Sequence, residues 1–365
     1  MTSCVNDDQA VLRVEHVGKQ FGSRSLLSRA AKGVHAVVDV SFSVARAEVV
    51  AIVGETGSGK TTLGNCISGL LRPTTGQVWF ENKDVAQDPQ GRRSELRRKI
   101  QPVFQDPRSS LDPRWPVERT IREPLDACRI GTMRERREKV ATLMDRVGLP
   151  SFVGSRHPHQ LSGGQQQRVA IAAALALDPE LLVADEPVSA LDVSVQAQIL
   201  NLFESLRADL GLAILFISHD LSVVQHLSDR VLVMYAGRVV ESGTVEQVFD
   251  HPVHPYTKAL LDAIPAADPS DRHVPMPLKG EIAGALFVET GCIFAARCPE
   301  AVAACTTTVP WETDFAPGHR ASCLVAAAAR PAVPPSANAT VSGIFDAQQA
   351  RSDGTSSTNE EGLTT

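Results

Sequence analysis

The sequence predicts an α/β fold built on a parallel core sheet, and three apolar stretches carry that expectation. Glu48-Val49-Val50-Ala51-Ile52-Val53 is a short apolar run suited to a strand buried on both faces; a Gly-rich turn and a helical segment follow it at once. Leu181-Leu182-Val183-Ala184 is a second such run and ends in Asp185-Glu186. Ala213-Ile214-Leu215-Phe216-Ile217 is a third and ends in Ser218-His219-Asp220. Buried strands separated by helical stretches suggest an α/β domain with a parallel core.

The remaining elements follow in order. Val11-Leu12-Arg13-Val14 and Ser41-Phe42-Ser43-Val44 alternate as half-exposed strands do. Thr61 to Ile67 reads as a helix, and residues from about 92 to 175 lean helical. Two charge runs in that stretch, Arg92, Arg93, Arg97, Arg98 and Lys99, then Arg134 to Lys139, are expected to be solvated helix faces. Val231-Leu232-Val233-Met234 and Arg238-Val239-Val240 close the strand-rich part. From Pro252 onward proline is frequent and the periodicity lapses. From 326 to 365 the chain is mostly Ala, Pro, Ser, Thr and Gly, the composition of a disordered tail.

A length of 365 residues allows two to three units. The 36 Lys+Arg against 42 Asp+Glu give a net charge of −6, so no overall basic character recruits nucleic acid. No run reaches the ~18 apolar residues that span a bilayer, so any membrane role is expected to be peripheral. The acidic start, Asn6-Asp7-Asp8, is unlike a secretory signal, and an odd count of seven cysteines suits a reducing cytosol. Four of the seven cluster between Cys292 and Cys323.

The segment Gly54-Glu55-Thr56-Gly57-Ser58-Gly59-Lys60-Thr61 fits G-x-x-x-x-G-K-[ST] between a buried strand and a helix. Glycines let backbone N–H groups turn inward around phosphates, and the helix N-terminus adds its dipole. Lys60 is expected to reach the β- and γ-phosphates and Thr61 to ligate Mg²⁺, with Thr62 beside it as a further nucleotide contact. Asp185, at a strand end, suits the acidic group that holds Mg²⁺ through water. Glu186 next to it suits the general base that orients the attacking water. His219 also ends a strand; by itself such a histidine is as readily structural.

Leu161-Ser162-Gly163-Gly164-Gln165, then Asp185-Glu186-Pro187, Ser189-Ala190-Leu191-Asp192 and His219 follow in order. With the phosphate loop and Val103-Phe104-Gln105-Asp106, residues 11–250 resemble the ATPase subunit of an ABC transporter. The resemblance implies a P-loop NTPase (RecA-like) core with an antiparallel β subdomain and a helical subdomain inserted at about 95–175. It implies that Phe21 stacks on adenine and that Gln105 joins the Mg²⁺ shell. It also implies that Ser162, Gly163, Gly164 and Gln165 bind the γ-phosphate of ATP held by a second ATPase subunit, the same chain or a paralogue. Asp192 would lie at that seam, and His219 would contact the γ-phosphate beside Glu186.

His254-Pro255-Tyr256-Thr257-Lys258-Ala259-Leu260-Leu261 is similar to the segment that opens the C-terminal extension of oligopeptide/dipeptide importer ATPases, here 251–325. Phe104-Gln105-Asp106-Pro107, Ser110 to Arg114 and Asp192 to Gln198 share that subfamily's pattern. The resemblance implies ATP-driven import of peptides, with two transmembrane permeases and an extracytoplasmic substrate-binding protein as partners, at the cytoplasmic face of the cell membrane. Nickel importers share these features, and a soluble redox-regulated ABC ATPase is a further alternative. As chemistry, the His-Pro-Tyr stretch itself reads as a capped helix start.

Cys292, Cys298, Cys305 and Cys323 form a C-x₅-C-x₆-C-x₁₇-C pattern in a Pro-rich segment with little core of its own. Four thiolates there suit zinc or a four-cysteine iron–sulfur cluster, with reduced thiols as the third option. The importer resemblance implies a [4Fe–4S] cluster on these four, although Ala295-Ala296 stands where His-Pro is commoner. Cys4, Cys66 and Cys128 are expected to be unpaired thiols, with Cys66 in the core.

Overall fold

Runs of β-branched residues draw the N-terminal part into two long strands, β1 (Ala10–Phe21) and β2 (Val34–Ala45). The computed structural model describes residues 10–22, 33–87, 94–264 and 290–329. Strand β3 (Val49–Val53) is followed by helix α1 (Lys60–Ile67), then β4 (Thr75–Phe80) and β5 (Lys83–Asp84). One sheet is antiparallel in the order β2-β1-β4-β5. Its apolar face, with Leu12, Val14, Val40 and Phe80, packs on Val50 and Ile52 of β3 and on Leu63 and Ile67 of α1.

The second sheet adds β6 (Ile100–Val103), β7 (Leu181–Asp185), β8 (Ala213–Ser218), β9 (Arg230–Tyr235) and β10 (Arg238–Thr244). After residue 290 it gains β11 (Thr313–Ala316) and β12 (His319–Ala321). The order is β11-β12-β10-β9-β3-β8-β7-β6; the last five strands of that order are parallel, and β10 to β12 pair antiparallel. The predicted parallel core is therefore present within a mixed sheet. Every residue of β3 and β8 is buried, as continuous apolar runs require.

Short helices α2 (Glu95–Lys99) and α3 (Pro107–Ser110) flank β6. Helices α4 (Val117–Cys128), α5 (Met133–Arg146) and α6 (Gly163–Leu175) form the helical part, with Ile121, Leu125, Val140, Leu143 and Val169 buried in the core that also holds Ala184 and Phe216. Helices α7 (Val193–Leu210), α8 (Leu221–Leu227) and α9 (Val245–Asp250) continue the main chain, and α10 (Pro255–Asp262) and α11 (Leu324–Ala328) follow.

Three local expectations change. Ile100–Val103, inside the stretch expected to lean helical, is a strand, because Ile100 and Val103 are buried and pair in register beside Leu181 and Ala184. Lys99 is not simply solvated: its ammonium lies 2.6 Å from Glu81 and 2.8 Å from Glu180, and Arg46 pairs with the same two carboxylates. The tail expected from 326 overlaps the end of α11; from Arg330 onward, like Cys4, Arg92 and Arg93, it lies outside the described residues.

The segment after residue 250 is knitted into the main sheet rather than appended to it. β12 pairs with β10 through Glu241↔Ala321 and Ser242↔Arg320. Beneath that seam the fully buried Glu241 carboxylate accepts hydrogen bonds from His319 Nε2 and from the Val253 and His254 backbone N–H groups, each at 2.8 Å. A buried carboxylate is tolerable only when its oxygens are satisfied in this way.

Candidate active site

The parallel strands β3, β7 and β8 aim their C-terminal ends at one region, and β6 joins them through the turn at Gln105. Ligand sites in open α/β sheets lie beyond such strand ends. After β3 the chain turns through Gly54 at φ +150°, where a Cβ would come within 2.1 Å of the Met234 carbonyl oxygen. Gly59, at φ +101°, caps α1, and a Cβ there would meet the Ala36 carbonyl at 2.1 Å. Neither position admits a side chain. The loop between them is pinned by Ser58, whose carbonyl accepts from Gly237 N at 2.8 Å. Thr56 and Gly57 are exposed at its tip.

Lys60 is buried, and its ammonium donates to the carbonyls of Gly54 at 2.7 Å and Glu55 at 2.9 Å. Burial lowers its pKa, against the opposing pull of Glu186, Asp185 and Glu55. Thr61, exposed at the start of α1, donates from Oγ1 to Asp185 Oδ1 at 3.2 Å, while Thr62 beside it is half-buried. Burial raises the Asp185 pKa, and the neighbouring Glu186 carboxylate adds to that rise. A hydroxyl and a carboxylate facing each other at the mouth of a phosphate loop are hard oxygen donors, a set that fits Mg²⁺.

Glu186 adopts φ +46°, the left-handed region that strains a side-chain-bearing residue, and its N–H bonds the Ile217 carbonyl at 2.9 Å. Its Oε2 accepts from Gln105 Nε2 at 2.9 Å and lies 3.0 Å from His219 Nδ1. The structure thus gathers Lys60, Thr61, Gln105, Asp185, Glu186 and His219 in one chain. Here Gln105 contacts Glu186.

Other residues singled out from the sequence stand apart from that group. Phe21 is exposed at the end of β1, with the Lys19 ammonium 5.3 Å from its ring centre. Ser162 caps α6 in a reciprocal box, its Oγ accepting from Gln165 N at 3.3 Å and Gln165 Oε1 from Ser162 N at 3.1 Å. Gly164 lets α6 meet α7, since a Cβ would press on Val195 at 2.4 Å; Gly163 packs beside Leu191. Asp192 is exposed at the N-terminus of α7.

This geometry agrees with what the chain is similar to. The ABC transporter family profile matches residues 37–189, and the profile for the oligopeptide/dipeptide transporter C-terminal region matches 240–305. The oligopeptide transport ATP-binding protein AppF of Bacillus subtilis is 46% identical over 322 residues, 87% of this chain and 98% of the relative. The dipeptide transport ATP-binding protein DppF of Escherichia coli is 44% identical over 317 residues, 87% and 94% of the two chains. The chain belongs to the ABC transporter ATPases. Within them it falls in the oligopeptide/dipeptide branch. The solved ATP-binding cassette MJ0796 with ADP and phosphate, 30% identical, superposes with a TM-score of 0.57 over 64% of this chain and 98% of that one. The cbiO1 subunit of Clostridium perfringens, part of the ABC transporter complex cbiONQ and 31% identical, gives 0.56 over 67% and 92%. As an ABC ATPase the chain hydrolyses ATP, with Mg²⁺ as the cofactor of that reaction.

The C-terminal cysteines of this ABC ATPase share one region. Cys305 and Cys323 are buried, Cys292 and Cys298 are half-buried, and no disulfide joins any of the described cysteines. Burial raises the Cys292 thiol, and the facing Cys305 and Cys323 raise it further. Cys298 is pushed up to about 11, by burial and then by Cys323 and Cys292. Thiols that oppose one another's ionisation are a donor set whose charge a soft cation would relieve. Among the described residues, no group of three or more His, Cys, Asp or Glu side chains stands ready-made around a metal position. Cys66, by contrast, lies in the core, its thiol raised to about 11 by burial.

Two residues near the loop have no place in the site read from sequence. His254 is the expected helix cap, accepting from Tyr256 N at 3.1 Å. Tyr256, however, extends its hydroxyl to the phosphate loop and accepts from Glu55 N at 2.9 Å. Arg297, from the cysteine segment, donates to both Glu55 carboxylate oxygens, at 2.9 and 3.1 Å. An acidic residue inside a phosphate-binding loop is the signal that a cation must stand behind it.

Proposed function

We propose that this ATPase powers the import of di- or oligopeptides through a membrane transporter. It would work at the cytoplasmic face with two permease subunits, a second ATPase subunit and an extracytoplasmic substrate-binding protein. The relatives named for oligopeptide and dipeptide transport, and the matching C-terminal region, support the substrate class. Among the described residues no helix is long and apolar enough to cross a membrane, consistent with separate permeases. In this reading residues 11–250 are the ATPase domain and 251–325 the importer-type extension.

The observation that carries the mechanism is the Glu186 carboxylate held between Gln105 and His219. Lys60 would exchange the loop carbonyls it now contacts for the β- and γ-phosphates, and the loop N–H groups would cradle them. Thr61 and Asp185, with Gln105, would hold Mg²⁺, which spreads and neutralises phosphate charge. Glu186 would accept the proton of the attacking water while His219 steadies the γ-phosphate. Phe21 would stack on adenine. Ser162, Gly163, Gly164 and Gln165, at the exposed corner of α6, would complete the partner subunit's site, with Asp192 at the seam. Closure of the pair then assembles the catalytic groups, and hydrolysis releases it.

Cys292, Cys298, Cys305 and Cys323 would hold a [4Fe–4S] cluster, which would add folding energy to the segment. The transport reading is tested by peptide uptake in cells carrying Glu186→Gln. Uptake should stop while ATP still binds; normal uptake in that variant would reject the reading.

A further inference from the structure

We infer that Tyr256 and Arg297 are positioning residues of the nucleotide site, a brace from the C-terminal segment that neutralises Glu55 and fixes the phosphate loop. The inference rests on ATP turnover and is independent of what is transported. Every polar group of Glu55 is engaged. Its N–H donates to Tyr256 Oη, its two carboxylate oxygens accept from Arg297, and its carbonyl accepts from Lys60 at 2.9 Å. One residue therefore links the phosphate-binding lysine to Arg297, which lies 242 positions from Glu55 in sequence.

The brace is rigid. The Arg297 side chain is 9% exposed and stacks over the Tyr235 ring at 5.7 Å. Tyr235, Tyr256 and Phe294 contact one another edge-on or tilted, with ring centres 4.7 to 5.5 Å apart. Tyr256 and Phe294 are fully buried. A two-pronged guanidinium held against an aromatic wall leaves little side-chain entropy to lose, and lysine cannot copy that fork.

Electrostatics gives the brace a purpose beyond packing. Glu55 sits in a loop whose ligand is a polyphosphate, so an uncompensated carboxylate there repels the ligand. Arg297 neutralises that charge through its paired contacts with both carboxylate oxygens. Because Arg297 immediately precedes Cys298, whatever orders the cysteine segment also orders the brace.

The test uses the purified full-length chain, a fluorescent ATP analogue and ATPase kinetics. Arg297→Ala should weaken nucleotide binding and raise the KM for ATP by about tenfold, with kcat much less affected. Arg297→Lys should recover part of the loss. Adding Glu55→Gln to Arg297→Ala should restore most of the affinity, because the repelling charge is gone. Tyr256→Phe, which keeps the ring packing, should raise KM a few-fold and serves as the deciding variant if Arg297→Ala does not fold. Affinity and KM unchanged in folded Arg297→Ala or in Tyr256→Phe would overturn the inference. So would a double variant whose nucleotide affinity is no better than that of Arg297→Ala.

Discussion

Glu186 and His219 stand 3.0 Å apart, Oε2 to Nδ1, because the two parallel strands that carry them end level, with Asp185 paired to Ile217. The sheet register, together with the left-handed turn at Glu186, sets the spacing of the base and its neighbour. Groups placed by sheet register need little reorganisation when substrate arrives.

His219→Ala should therefore lower kcat by about 10²-fold while ATP affinity is kept. Steady-state phosphate release and nucleotide titration separate the two parameters. A variant that loses affinity and retains kcat would place His219 in ground-state binding instead.

The buried His254 should make stability depend on pH. Burial lowers its pKa from 6.5 to about 4, against the opposing effect of Glu241 and with Lys258 adding to the fall. Its Nδ1 must also stay unprotonated to accept from Tyr256 N. The unfolded chain then binds the extra proton first as pH falls. The stabilisation is complete above pH 6.5 and is lost progressively toward pH 4, amounting to about 3 kcal/mol. Urea midpoints between pH 4 and 7 should slope less in His254→Asn, which keeps a capping oxygen without titrating. Parallel slopes would reject the assignment.

Glu241→Ala should cost about 3 kcal/mol, because three donors, two of them buried, lose their acceptor together. The thermal midpoint should fall, and limited proteolysis should cut near residue 253 before the sheet core. Resistance equal to wild type would mean that the clasp contributes little.

Ser162→Ala removes one side of a reciprocal cap on α6, worth about 1 kcal/mol. If Ser162 also serves a partner's ATP, turnover at high protein concentration should fall by roughly 10²-fold, far beyond the stability change. Wild-type specific activity should in turn rise with concentration as pairs form. A loss of activity no larger than the loss of folded protein would leave Ser162 a helix cap only.

Anaerobically purified protein should contain iron and sulfide at four atoms of each per chain, with visible absorption that Cys298→Ser bleaches. A colourless protein loaded with zinc would exclude the cluster.

The strand–loop–helix around Lys60 and the strand ends at Asp185 and His219 were legible because their signals are local: apolar runs, a fixed glycine spacing, a polar residue where a run stops. β6 was not, since four residues flanked by charged neighbours carry too little pattern to separate strand from helix. The Lys99–Glu81–Glu180 network and the Glu241–His319 pair were invisible for another reason. They join positions far apart in sequence, and no local preference marks either partner. Glu55 was visible as part of the phosphate loop, but its partners Tyr256 and Arg297 emerged only from the fold.

The pairing of β12 with β10 also bears on how the protein can be divided. A chain shortened to end soon after α10 would strip the outer edge of β10, exposing unpaired N–H and C=O groups beside buried Val240 and Glu241. Bare strand edges recruit other chains, so such a fragment should aggregate or pair aberrantly rather than behave as a minimal ATPase.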